Sequence, residues 1–338
     1  MVSKSKIQTL GLLRGIAVLA VCFCHFGKPV STGVVLPGFF SWIADNGKYG
    51  VQIFFVISGF IIPYSLFKAN YEFKHYFKFL YKRVLRLHPP YIAALLLTLV
   101  IAYFSYKVRH LVYPENITSI LLSVFYMHLP ADNPVFWTLQ IEAEYYIFIG
   151  LFFVFLMKMP KASILISIPV LLWLSQTQVA SYISLLNFIV FFLIGTVGYL
   201  IYIKENNKIL EYIALLILIV FSFLFYDLLG AIASLCTILM ILFYRKPIHS
   251  GLEFPGEISY SLYLIHFIIG IKIINLLQRH VSPNYNWVLF ILAMVICIGA
   301  SWIFWKFIEK PSAELSNKVK YGKKKTEFLN YDLETETK

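Results

Sequence analysis

Apolar residues along this chain fall into runs long enough to cross a bilayer many times. A hydrocarbon core takes about 20 residues of helix. Windows of about 19 residues pick out runs at 10–26, 47–67, 89–106, 137–157, 162–177, 183–203, 209–226, 228–244, 258–278 and 286–308. The fifth, seventh and eighth have the shortest connections and the least sharp bounds. The run at 117–128 is too short to cross and predicts an interfacial or re-entrant piece. The first run follows Lys4 and Lys6 as a signal peptide would. It carries Arg14 and lacks an A-x-A cleavage site, so it reads as a retained anchor. The pattern predicts an all-α, polytopic membrane protein with about ten transmembrane helices.

Composition agrees. Of 338 residues, 59% are apolar and 14% charged, against about half and a quarter in soluble domains. An ordinary cytosolic enzyme is excluded, and 31 Phe, 23 Tyr and 6 Trp exclude a disordered chain. The net charge of +12 reads as loop charge that fixes topology, so no nucleic-acid partner is expected. With the N- and C-termini cytoplasmic, most of the 29 Lys and Arg fall on the inner side. One span more or fewer in the first half would put the most basic segment outside. That segment, 68–88, holds Lys68, Lys74, Lys78, Lys82, Arg83 and Arg86 against Glu72. It fits either topology and anionic lipid or the docking of an anionic cytoplasmic ligand. Cys22, Cys24, Cys236 and Cys297 all lie in apolar runs, which argues against an extracellular disulfide framework. The chain shows no internal repeat, so a transporter of two related halves gains no support.

Ionisable residues inside spans are costly and point to function. Here they are Arg14, His25, Glu142, Glu144, His266 and Lys272. Lys272 sits near a helix end and can snorkel. Arg14 and His25 are eleven residues apart, within ~20° of three full turns, so they share one helical face at ~16 Å separation. They are either an inner snorkelling Arg and an outer interfacial His, or two points on one polar path. Glu142, one turn into the fourth span, lies at a depth similar to His25 and could orient it as a general base. Glu144 points ~200° away from Glu142. His266 lies mid-span beside Ser259, Tyr260, Ser261 and Tyr263. Ser58 and Gly59 allow close helix approach. Cys22-x-Cys24-His25 offers ligand atoms, but adjacent and alternate helix positions do not converge, so no metal site is expected. Asn116-Ile117-Thr118 fits a glycosylation sequon, a pattern short enough to arise by chance.

Taken in order, the motifs resemble those of the acyltransferase-3 family of integral membrane acyltransferases. They are Leu13-Arg14-Gly15-Ile16-Ala17 with His25; Gly50-Val51-Gln52-Ile53-Phe54-Phe55-Val56-Ile57-Ser58-Gly59-Phe60; and Arg83-Val84-Leu85-Arg86-Leu87-His88-Pro89-Pro90-Tyr91. Trp137 through Glu142 with Tyr145-Tyr146, Ser259 through His266, and Ile308-Glu309-Lys310-Pro311 complete the set. His88 stands where the family usually has an aromatic, and Ala143 interrupts its usual double acid. The resemblance covers about residues 7 to 312 and divides the chain into a transmembrane domain, 1–312, and a polar cytoplasmic tail, 313–338.

The resemblance implies transfer of an acyl group, acetyl first, from cytoplasmic acyl-CoA to a hydroxyl of a cell-surface or lipid-linked sugar. Polysaccharide O-acetylation in a bacterial inner membrane is the expected setting. Arg14, Arg83 and Arg86 become acyl-CoA ligands, His25 and Glu142 the catalytic pair, and Ser58, Trp137, Tyr263 and His266 the substrate pocket. Acetyl-CoA is a cosubstrate, with no bound cofactor. The partners are the glycan or lipid-linked acceptor and the lipid bilayer. The sequence carries no signal of oligomeric state. The rival reading is a transporter or flippase that uses the same charges without chemistry.

Overall fold

The computed structural model describes residues 8–32, 35–244 and 246–321. Lys4 and Lys6, and the tail lysines Lys323, Lys324 and Lys325, lie outside the described residues. Among the described residues the regular structure is helical throughout. Lipid supplies no hydrogen-bond partners, so a spanning backbone must satisfy itself. We number the helices α1 (Gln8–Val30), α2 (Pro37–Asn46), α3 (Gly50–Lys68), α4 (Tyr76–Val108), α5 (Ile117–Val124) and α6 (Trp137–Lys158). They continue as α7 (Pro160–Leu174), α8 (Ile189–Ile203), α9 (Ile209–Phe225), α10 (Leu228–Phe243), α11 (Ser250–Glu257), α12 (Ser259–Leu277), α13 (Asn286–Phe304) and α14 (Lys310–Lys318).

Seven of the described helical stretches are long and apolar enough to cross a membrane. The shorter apolar helices α7, α9 and α10 correspond to the fifth, seventh and eighth runs. The protein is an all-α, polytopic membrane protein.

Two positions differ from the sequence pattern. The basic segment at 68–88 is mostly helix, since α4 begins at Tyr76 and continues through Pro89 and Pro90. Arg83 and Arg86 therefore stand one turn apart on the same helical face. Short helices such as α2, α11 and α14 escape a 19-residue window because they are half its length or less.

Close packing sets the frame. α3 crosses α8 where a Cβ on Gly59 would overlap Phe192 O, and one on Gly195 would overlap Val56 O. Thr196 Oγ1 donates across this contact to Gly59 O (3.2 Å), the small-residue packing favoured between membrane helices. α1 packs on α2, α3, α11, α12 and α13. Its Gly11 lies so close to Gly256 of α11 that no side chain fits at residue 256. One apolar core gathers around α3, α6 and α8, including Phe60, Phe192 and Tyr199. A second gathers around α1, α4, α12 and α13, including Phe26, Tyr91 and Leu262.

The run at 117–128 descends along α4. Tyr113 OH donates to Leu99 O of α4 (3.3 Å), and Tyr91 OH donates to Ser123 O (2.5 Å). Tyr126 OH meets His88 Nδ1 (3.1 Å). From Leu99 to His88 is ~16 Å along α4. The chain then returns, and Asn133 Nδ2 bonds Thr98 Oγ1 and Leu264 O (both 3.1 Å). Asn116 serves as the N-cap of α5, accepting from Ser119 N (2.9 Å). At the same end of α4, Lys272 does not merely snorkel: its Nζ pairs with Asp132 Oδ1 (2.6 Å) and Ser105 Oγ (3.2 Å).

Glu115 anchors this segment through His128 Nε2 (2.9 Å) and Ala131 N (3.0 Å). Burial pushes its carboxyl up, but hydrogen bonds from Ser119, the Ala131 N–H and His128 outweigh burial and hold it below the usual range. A depressed carboxyl gives stability above its unfolded value, about 4.3, and loses it as pH falls through the folded value. Glu115→Gln should lower the thermal midpoint in detergent at pH 7, since hydrogen bonds to a charge contribute about 1.5–3 kcal/mol. The gap to wild type should narrow as pH falls below the unfolded value and close once the folded carboxyl is protonated. A pH-independent gap would mean that the carboxylate charge is not what holds the loop.

Candidate active site

Where the two cores meet lies a cavity of about 830 Å³, within the range of about 300–1,000 Å³ that holds ligands of cofactor size. Arg14 reaches it from α1, Ser58 from α3, Arg83 and Arg86 from α4, Glu142 from α6 and Tyr263 from α12. Six candidates from five helices thus converge. Trp137 does not line the cavity. It packs behind Phe55 and against Phe188, with ring centroids 6.4 and 5.0 Å away, because Phe55 takes the lining position.

The arginines are held in distinct ways. Arg83 donates to Ser65 Oγ (3.0 Å) and lies over the rings of Phe79 and Tyr146 at 5.2 and 5.3 Å. Its buried Nε–H has no hydrogen-bond partner. Arg14 lies within electrostatic reach of Arg86, Glu142 and Glu309. Glu142 accepts from Tyr146 OH, four residues on. This corrects its expected pairing: the structure sets Glu142 among the arginines and gives no contact with His25. Equal depth along two helices does not bring two side chains together, and Glu142 turns toward the positive charge of the cavity. Glu144 has a different task. It accepts from Leu185 N (2.6 Å) and Gln140 Nε2 (3.1 Å), fixing the turn that leads into α8.

His25 and His266 lie just beyond the cavity. Tyr263 stands between, lining the cavity while its ring centroid sits 5.9 Å from that of His266. Its hydroxyl accepts from Thr138 Oγ1 (2.7 Å) and donates to Val135 O (2.9 Å). The His266 and His25 rings are 5.3 Å apart, and Phe267 meets His25 edge-on at 5.0 Å. His266 Nδ1 faces two carbonyls, Tyr263 O (2.8 Å) and Leu262 O (3.0 Å). Carbonyls only accept, so Nδ1 carries the proton. The neutral ring then has its lone pair on Nε2, a buried atom with no partner. A π-helical turn, Phe267–Ile271, follows at once. Such bulges are frequent at functional sites.

Sequence reasoning named Glu309, Tyr146 and Tyr260 only as motif residues and Tyr321 not at all, yet all four line the cavity. Glu309 closes another π-helical turn, Trp305–Glu309. It accepts from Ser261 N (3.1 Å) and Ser261 Oγ (2.5 Å), tying α13 to α12. The four-residue spacing of Glu142 and Tyr146 was a usable signal. Nothing local to the sequence links Glu309 to Ser261.

The site is that of a helical membrane protein in which side chains of five helices meet at one cavity, with a histidine pair behind Tyr263. The acyltransferase domain model matches residues 7–306, and the chain belongs to the acyltransferase-3 family of multi-pass membrane acyltransferases. No curated protein and no solved structure matches the chain.

Proposed function

We propose that this protein transfers an acyl group, acetyl first, from acyl-CoA to a hydroxyl of a cell-surface or lipid-linked sugar at the inner membrane of a bacterium. The observation that carries this reading is the convergence of Arg14, Arg83 and Arg86 on one cavity, with His266 behind its lining residue Tyr263 and His25 behind His266. Three guanidiniums suit the phosphates of CoA, since each offers a planar fork of donors with a permanent charge. The excess of Lys and Arg at 68–88 and near the C-terminus supports an orientation with both termini and the cavity mouth in the cytoplasm.

In this reading the pantetheine arm runs inward past Tyr263, and the thioester carbonyl meets the acceptor near His25. A sugar hydroxyl is a weak nucleophile. His25 takes its proton as the oxygen attacks the carbonyl carbon, the C–S bond breaks, and the CoA thiolate leaves to be protonated. His266 packs against the His25 ring and limits its orientation. A narrow passage keeps water from the thioester.

The test is ester analysis by NMR of the surface polysaccharide from strains with and without the gene. Loss of O-acyl signals on deletion, and their return with the wild-type gene, is the expected result. Identical ester content in both strains would overturn the assignment to glycan acylation.

A further inference from the structure

The polar helix α14 continues the last span through a π-helical turn and packs beside the cavity. α14 packs along the first turns of α4, where Ser316 Oγ donates to Lys82 O (2.9 Å) and Lys82 Nζ donates to Val319 O (3.4 Å). These two bonds bring Tyr321 to the cavity mouth, where it joins the lining. Its ring lies 5.6 Å from His75 and 6.1 Å from Tyr71. Tyr71 is itself fixed, since its hydroxyl donates to Gly150 O (2.7 Å). The ammonium of Lys82 sits 5.7 Å from the Tyr321 centroid. An aromatic ring is thus fixed in the lining of a cavity that holds five basic and four acidic side chains, with Lys82, Arg83 and Arg86 on the same helix nearby.

Position along α4 gives the site its direction. Tyr321 lies at the level of Lys82, Arg83 and Arg86 follow within a turn, and Tyr260 bonds Leu87 O beyond them (2.9 Å). Tyr263 and the histidines come after. Read along α4 from Tyr321, the order is aromatic ring, cations, then Tyr263 and the histidine pair behind it. A CoA thioester is ordered the same way: purine base, phosphates, pantetheine arm, reacting carbonyl.

We propose that Tyr321 is the stacking surface for the adenine ring of the donor, with Lys82 beside it for the nearest phosphate. This rests on the acyl-CoA reading above. The packing of α14 on α4 then has a function: it completes the nucleotide end of the donor site with a residue from outside the membrane spans.

The test measures binding of two probes, CoA and 4′-phosphopantetheine, to the full-length protein in nanodiscs. The second probe lacks the adenosine. Tyr321→Ala should weaken CoA about tenfold, the size of one base stacked on an aromatic ring, and leave 4′-phosphopantetheine unchanged. Tyr321→Phe and Tyr321→Trp should bind CoA like wild type, since stacking needs the ring and not the hydroxyl. Equal weakening of both probes would overturn the proposal, because Tyr321 would then only shape the mouth. Unchanged CoA affinity in Tyr321→Ala would overturn it as well. Failure of the donor reading shows separately, as no CoA binding by the wild-type protein.

Discussion

His25→Ala should abolish acyl transfer while acyl-CoA binding survives. A positioned general base contributes about 10²–10⁴-fold, so the loss should be at least a hundredfold. Donor binding should persist because the basic side chains that line the cavity, Arg14, Lys68, Lys82, Arg83 and Arg86, are untouched, and Arg14 stands ~16 Å down the helix from His25. Glu142→Gln should behave differently. Glu142 faces Tyr146 and the arginine cluster, so its loss should change donor affinity and leave the proton transfer at His25 intact. A tenfold rate effect is only ~1.4 kcal/mol, so membrane expression and monodispersity must match wild type for each variant. Near wild-type transfer by a well-folded His25→Ala protein would remove His25 from the chemistry.

The spans were legible because hydrocarbon imposes a length and a polarity on every helix that crosses it. The bounds at 137–157 and 209–226 fall within one residue of α6 and α9. Arg14, Arg83 and Arg86 were equally legible, since an arginine in or beside a span stands out from its surroundings. The partnerships were not. Glu142 shares a depth with His25, yet azimuth and side-chain reach decide contact, and these follow from how α6 packs against α4. His25 meets His266 across 241 positions of chain, a pairing that only the approach of α1 to α12 creates. Trp137 belongs to a motif but faces Phe188, because a short stretch of similar residues does not say which of them turns inward. Tyr321 was invisible for a different reason. It follows a polar segment with no apolar periodicity, and only the bonds of Ser316 and Val319 to Lys82 show where that segment goes.

The arginines of α4 carry the second large expectation. Arg83→Ala should weaken acyl-CoA binding by about thirtyfold or more, since truncating one member of a buried charge pair costs about 2 kcal/mol upward. Arg83→Lys should recover little. The guanidinium lies over Phe79 and Tyr146, donates to Ser65 Oγ and keeps its Nε–H free. An ammonium group cannot stack between the rings and serve several directions at once. Arg86→Ala should add to the loss, because the two side chains share a helical face and line the same cavity. The measurement is CoA affinity by calorimetry on purified protein, with the Arg83→Ala/Arg86→Ala double variant as the limiting case. The affinity should also fall as salt rises, since part of it is charge attraction at a mouth open to solvent. Unchanged affinity in a folded double variant would return both arginines to the role of fixing topology, and the donor would have to be held elsewhere.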